Sequence, residues 1–129
     1  MKKSLFIAGL CLGMANVTFA SPLVMNKPIE CPSVAAIKAN TLVDKILSLP
    51  NGGWVSIFEA QKYNTDSRWV FALSNFSADS KQEAQDKSVK SLASLFYVSG
   101  PEKEEGSSTW HCQYQTSEGY WGTATQQPF

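Results

Sequence analysis

The sequence has few of the residues that build metal and catalytic centres. It contains one histidine and three cysteines, and it lacks a Cys-x-x-Cys motif. A structural zinc site takes more clustered ligands than these, and a redox-active pair usually takes closely spaced thiols. Glycine-rich phosphate loops are also missing, because Asn51-Gly52-Gly53 precedes a predicted strand instead of opening a helix. We therefore expect no metal, no cofactor and no catalytic residue.

Long hydrophobic runs are absent after the first twenty residues. Within those residues, Lys2-Lys3 forms a short basic start, and an apolar stretch from Leu5 to about Val17 follows. Thr18-Phe19-Ala20 then places small residues where a signal peptidase needs them. The apolar stretch is shorter than the roughly 18 to 20 residues of a membrane-spanning helix. The sequence therefore predicts a cleavable signal peptide at residues 1–20 and a periplasmic or secreted protein.

The rest of the chain divides into a short lead-in and one domain. Residues 21–30 contain two prolines and no periodicity, which predicts an extended lead-in, and residues 31–129 have a common size for a single domain. Nine Lys or Arg and eleven Asp or Glu follow residue 20, so the mature chain has a net charge of −2. Such a chain has no electrostatic attraction to nucleic acid or to an anionic membrane. The expected partner is a protein or a small ligand, and the oligomeric state is left open.

The cysteines indicate one disulfide. Cys11 lies within the predicted signal peptide, which leaves Cys31 and Cys112 in the mature chain. Cysteines in an even number usually pair in an oxidising compartment, and we predict a bond between Cys31 and Cys112. The single histidine, His111, stands next to Cys112, but neighbouring strand residues point to opposite faces. A Cys–His catalytic pair is therefore disfavoured.

Capping, turn and strand patterns in the first half predict one helix and three strands. Ser33 caps a short helix to about Ala39, and residues 41–49 suit either a helix or a strand, of which we favour the strand. After a turn, a strand starts at Trp54 and pairs as an antiparallel hairpin with a strand over residues 68–76. The latter strand is apolar on both faces, which predicts a central place in the sheet.

The second half begins with a longer helix. Ser80 and Glu83 form a capping box at its start, and its apolar stripe extends to about Phe96. The remaining chain is predicted to form an exposed loop followed by two strands, at residues 102–108, 109–115 and 120–125. The sequence therefore predicts an α+β domain in which an antiparallel sheet of four to five strands is packed by one main helix, in the order α-β-β-β-α-β-β.

Aromatic residues on the predicted strands are too numerous for one helix to cover. A small sheet uses such residues mainly as cross-strand pairs and core anchors, and any that stay exposed form a flat binding surface. Trp54, Tyr120 and Trp121 flank turns and are the predicted contact surface. We therefore expect a binding or interaction protein without catalytic activity. The alternatives are a small secreted hydrolase, whose acid and base are distant in sequence, and an inhibitor of a secreted or periplasmic hydrolase.

Several different short motifs are distributed along nearly all of the mature chain. They are Cys31-Pro32-Ser33-Val34 with Ile37, Trp69 with Phe71, Glu83-Ala84, Gly100-Pro101, Trp110-x-Cys112-x-Tyr114 and Gly119-Tyr120. In these motifs the chain resembles a family of small exported proteins of unknown function found in Legionella and its relatives. The tail Thr125-Gln126-Gln127-Pro128 departs from the Thr-Pro-Pro ending of that family. The resemblance implies a bacterial exported protein, and it implies no activity and no catalytic residues.

Overall fold

The computed structural model describes residues 27–28, 30–103 and 105–127. The predicted signal peptide at residues 1–20 lies outside these ranges, and so does most of the predicted lead-in. In chain order, the elements are α1 (Val34–Ala39), β1 (Val43–Ser48), β2 (Trp54–Phe58), β3 (Arg68–Phe76), α2 (Lys81–Ser91), β4 (Phe96–Lys103), β5 (Trp110–Gln115) and β6 (Trp121–Gln127). None of the helices in these ranges is long and apolar enough to cross a membrane.

The predicted fold class, α+β with one main helix, is wrong, because the chain is mostly β. Six antiparallel strands form one sheet, instead of four to five strands packed by one helix. The element order is α-β-β-β-α-β-β-β, and the additional strand is β4. The helix that was expected to reach Phe96 ends at Ser91 and continues only as a 3-10 turn at Leu92–Ser94.

Strand β4 takes up the predicted end of the helix and the start of the loop predicted at 102–108. Residues 96–98 are aromatic or β-branched, and such side chains fit a pleated strand better than the end of a helix. Pro101 has no N–H to donate to a neighbouring strand. It is accommodated because β4 is an edge strand whose register shifts between Ser99 and Glu102.

The strand order is β1-β2-β3-β6-β5-β4. Each half of the sheet is a three-stranded meander that follows a helix: α1 precedes β1 to β3, and α2 precedes β4 to β6. The two meanders meet in the centre, where β3 pairs with β6 from Arg68 and Gln127 to Ser74 and Trp121. The predicted central place of strand 68–76 is confirmed, and so are the strand interpretation of β1 and the hairpin of β2 with β3.

One face of the sheet is covered by the helices and contains the core. On this face β3 contributes fully buried Trp69, Phe71 and Leu73. The buried residues of α2 are small, which allows the helix to lie close to β1 and β2; they are Ala84, Ser88 and Ser91. On β6, Gly122 leaves room for Phe71, whose ring lies only 2.7 Å from where a Cβ atom of residue 122 would stand.

The start of α2 is fixed by the predicted capping residues. Ser80 Oγ accepts a hydrogen bond from the backbone N–H of Glu83 (3.1 Å), and the Glu83 carboxylate accepts one from the N–H of Asp79 (2.5 Å). The second bond therefore closes one residue earlier than in the usual capping box, in which Glu83 would bond the N–H of Ser80 itself. The first bond satisfies one of the backbone donors that the helix leaves unpaired, and the second holds the residue before the cap.

We expect Ser80→Ala to lower the free energy of unfolding by about 1 kcal/mol, because the hydroxyl that caps α2 is lost. Urea denaturation at neutral pH measures this change. Ser77→Ala is the matched control, since Ser77 is exposed and contributes its backbone carbonyl, not its hydroxyl, to a bond with Lys87. A Ser80 variant as stable as the Ser77 variant would contradict the capping role.

The predicted disulfide is present and joins the chain before α1 to β5. Cys31 and Cys112 are bonded, with their Cα atoms 5.9 Å apart and a sequence separation of 81 residues. Beside this bond the buried hydroxyl of Tyr114 donates to the backbone oxygen of Pro32 (2.5 Å). Burial raises the pKa of Tyr114 above its ordinary value, so this hydroxyl keeps its proton and its hydrogen bond in alkaline solution as well as at neutral pH. Two contacts therefore hold the start of the domain on its penultimate strand.

Candidate binding face of the sheet

The second face of the sheet, here called the open face, carries no helix in the described part of the chain. Side chains alternate between the two faces along each strand, so the strand register defines which residues are neighbours on it. The row that runs through Trp121 crosses all six strands, over about 24 Å. This Trp121 row consists of Leu47, Val55, Ser74, Trp121, Gln115 and Phe96.

Large apolar side chains are exposed at both ends of the Trp121 row and in its middle. Leu47 at one edge is 47% exposed, Trp121 in the centre is 47% exposed, and Phe96 at the other edge is 44% exposed. An antiparallel sheet that faces water usually carries polar residues on its outer side. The exposed apolar side chains of the Trp121 row depart from that pattern, and the core on the other face does not need them.

The open face has an apolar half and a polar half. On β2 and β3 the outward side chains include Val55, Ile57, Val70 and Ala72, all half-buried. The outward side chains of β5 and β6 are instead mainly hydroxyls and amides. The boundary between the two halves runs along the central pairing of β3 with β6. A partner that covers the whole face would meet both surfaces at once.

A shallow groove of about 280 Å³ lies on the polar half, between β5 and β6. We call it the polar groove, and it is lined by Thr109, His111, Gln113, Thr123 and Thr125. Thr123 Oγ1 donates a hydrogen bond to Gln113 Oε1 across the two strands (3.2 Å). Trp121 lies on the same face of β6, two residues before Thr123 and outside the lining of the groove.

A family model described as a domain of unknown function, DUF4949, matches residues 30–122. The chain belongs to the DUF4949 family. No curated protein and no solved structure matches it. Membership agrees with the coarser part of the sequence resemblance, a family without an assigned function, and the bacterial source stays an expectation. The matched part of this DUF4949 chain includes the disulfide, Trp121 and the side of the polar groove that β5 forms. It ends at residue 122, before Thr123 and Thr125.

The structure of this DUF4949 domain separates the three predicted contact residues. Trp54 is half-buried against the core, and its indole N–H donates to the carbonyl of Ala78 (3.0 Å). Tyr120 also packs against the core, with its ring 5.3 Å from that of Phe76. Trp121 points to the open face. The alternation of β2 indicates the place of Trp54, because Ser56 and Phe58 on the same side of the strand are buried.

Residues of the open face that sequence reasoning missed are Leu47, Phe96 and the lining of the polar groove. The alternation of β5 and β6 was a usable signal, since Thr123 and Thr125 share a face with Trp121. Which side of the sheet lies under the helices could not be read in this way. Phe96 gave no such signal, because the apolar stripe of the preceding helix appeared to include it.

On the open face, the histidine has one acidic neighbour. Glu102 and His111 are cross-strand partners on β4 and β5, at the rim of the polar groove. Within the described ranges, the one ion pair joins Lys87 to Glu83, so Glu102 and His111 are neighbours without a salt bridge. Cys112 is fully buried on the other face and held in the disulfide, so it is no nucleophile for His111.

A wider depression of about 380 Å³ lies beside the disulfide, where the chain enters α1. Its lining includes Glu30, Pro32, Tyr97 and Pro101. The hydroxyl of Tyr97 is already used, since it donates to the backbone oxygen of Gly100 (2.5 Å). No group of three or more His, Cys, Asp or Glu among the described residues is arranged to hold a metal ion. The open face is therefore the better candidate for a functional surface.

Proposed function

We propose that this DUF4949 protein is an exported binding protein that holds its partner on the open face and carries out no chemistry on it. The observation that carries the proposal is the Trp121 row, in which Leu47, Trp121 and Phe96 are each nearly half exposed. Ser74 and Gln115 lie between these side chains in the row, and apolar surface continues from Leu47 through the half-buried Val55. Exposed apolar patches usually mark contacts with another molecule.

The composition of the open face supports a binding role. Tryptophan is enriched among the residues that dominate binding energy, phenylalanine is enriched in interfaces, and polar groups surround the buried centre of a contact surface. The polar groove supplies such groups on the same face, from Thr123 onward, two residues after Trp121 on β6. Both surfaces lie on strands of one sheet, and a rigid support of this kind keeps a contact surface in its binding geometry.

Export is supported by the disulfide. A bond such as Cys31–Cys112 forms and persists in oxidising compartments and is rare in the reducing cytosol. The signal peptide predicted at residues 1–20 points to the same compartment. We therefore propose the periplasm or the extracellular medium as the place where the partner is met.

A hydrolase is the second candidate, because Glu102 and His111 are cross-strand partners at the rim of the polar groove. A histidine with a nearby carboxylate is a common acid–base arrangement. Against this candidate, the two groups form no ion pair and the groove is shallow and open, so water is not excluded from it. In a hydrolase screen, turnover that disappears in His111→Ala would favour the enzyme over the binding protein.

The binding role predicts that Leu47→Ser, Trp121→Ser and Phe96→Ser together abolish partner recovery. These changes remove the exposed apolar surface without touching a buried side chain. Co-purification from the envelope and medium of cells that produce the protein should fall about tenfold or more relative to the unaltered chain. Mass spectrometry of the recovered material identifies the partner and measures its amount.

The control for this experiment is Leu42→Ser, since Leu42 is 56% exposed and precedes β1, outside the Trp121 row. We expect this variant to recover the partner as well as the unaltered chain does. Equal loss in the control, or full recovery with the triple variant, would show that the open face is not the contact surface. Circular dichroism of each variant establishes that the sheet is intact.

A further inference from the structure

The polar groove has a lining that suits an uncharged ligand. Its side chains are three threonines, a glutamine and a histidine, and it contains no Asp, Glu, Lys or Arg. The nearest basic residue on the same face is Arg68, which is exposed on β3, one strand and two residues from Thr125, or about 8 Å. Glu102 lies at the rim, opposite His111. A strongly charged ligand would therefore find no set of opposite charges in the groove.

The groove and its border offer hydrogen-bonding groups of both kinds. A threonine hydroxyl donates and accepts, and a glutamine amide has a donor and an acceptor end. Gln113 uses its oxygen with Thr123, which leaves its amide N–H groups available. Within the described ranges the side chains of Gln115 and Thr125 enter no hydrogen bond of their own. Ligand hydroxyl groups match such a lining, since each of them also donates and accepts.

Trp121 adds a flat apolar platform at one end of the groove. Thr123 follows on the same face of β6 at a distance of about 7 Å, and Thr125 follows after another 7 Å. In the Trp121 row, the neighbours of the indole are Ser74 and Gln115. A sugar ring has apolar C–H groups on its faces and hydroxyls around its rim. It fits an exposed indole that is flanked by polar side chains.

We propose that Trp121 and the polar groove bind an uncharged glycan chain. One sugar ring lies on the Trp121 indole, and the next rings follow β6 into the groove, where Gln113, Thr123 and Thr125 bond their hydroxyls. This inference rests on the proposed binding function and specifies the ligand of the same face. The match between a lining without formal charge and a polyhydroxylated, uncharged chain is what selects a glycan over an acidic or basic partner.

The test uses the mature chain with three uncharged probes: chitohexaose, cellohexaose and maltohexaose. Isothermal titration calorimetry measures affinity, and amide chemical shifts in NMR spectra locate the site. We expect saturable binding of at least one probe, with shifts concentrated on β5 and β6. Trp121→Ala should weaken that binding about tenfold or more, and Gln113→Ala should weaken it several-fold.

Leu42→Ala is the matched control, because Leu42 is 56% exposed and precedes β1, outside the Trp121 row. It should bind the probes as tightly as the unaltered chain. The glycan site is refuted if no probe binds, if Trp121→Ala binds as tightly as the unaltered chain, or if Leu42→Ala is weakened equally.

The outcome separates the glycan from the broader binding role. If no probe binds but co-purification still depends on the Trp121 row, the proposal of a glycan ligand is wrong and the proposed binding function stands. If neither experiment depends on that row, both proposals fail. If a probe binds with the expected variant pattern and is then cleaved, the glycan site stands and the non-catalytic part of the proposed function is wrong.

Discussion

Replacing Cys31 and Cys112 together by alanine will lower the free energy of unfolding by about 4.5 kcal/mol. The disulfide closes a loop with a sequence separation of 81 residues, and a link over so long a loop removes much conformational freedom from the unfolded chain. The loss is comparable to the whole stability of many small domains. We therefore expect the variant to be partly unfolded at physiological temperature.

Urea denaturation of the double variant and of the unaltered chain, the latter with and without a thiol reductant, measures this loss. The reduced chain is the control and should unfold at nearly the same urea concentration as the double variant. A midpoint that does not move on reduction would contradict the prediction. Tyr114→Phe should cost more in the oxidised chain than in the reduced one, because its bond to Pro32 depends on the same junction.

Phe71→Ala will lower the free energy of unfolding by about 3 to 5 kcal/mol. Phe71 is fully buried in the central strand β3, and its ring contacts those of Phe58 (5.7 Å) and Tyr114 (5.8 Å). On β6 the chain has a glycine, Gly122, directly against this ring. The variant would lack the Phe71 ring on β3, and Gly122 on β6 has no side chain to replace it. A cavity would therefore remain that neighbouring groups cannot easily fill.

Val70→Ala is the matched control for Phe71→Ala. Val70 is adjacent in β3 but lies half-buried on the open face, so its truncation should cost only about 1 kcal/mol. Thermal and urea denaturation of both variants give the comparison. Equal losses at the two positions would mean that the covered face is not the main core. A loss below about 1.5 kcal/mol for Phe71→Ala would mean that the cavity collapses.

Much of the local structure could be predicted because its signals are local. Ser33 and Ser80 cap the two helices as their hydroxyls indicated, and the hairpin of β2 with β3 follows from a turn between two β-rich segments. Strand β4 was missed for a physical reason. Its first residues continue the apolar stripe of α2, and Pro101 usually ends a strand unless the strand is at an edge.

The topology could not be read from local patterns, and this limited the prediction of the site. The pairing of Ser74 with Trp121 joins segments that are far apart in sequence, and no turn residue specifies it. Trp121 was predicted to be a contact residue because it flanks a turn. Its actual neighbours, Ser74 and Gln115, follow only from the register of three strands. Exposure of Leu47 likewise depends on which face the helices cover.

The position of β6, last among the described strands and central in the sheet, determines when the domain can be completed. A ribosome makes β3 well before its partner, so during synthesis the inner edge of β3 has no strand beside it. A chain that stops after β5 would retain the meander of β1 to β3 and the hairpin of β4 with β5, with the inner edges of β3 and β5 unpaired, and unpaired edges invite aggregation. Protection of the nascent chain therefore has to last until β6 has been made.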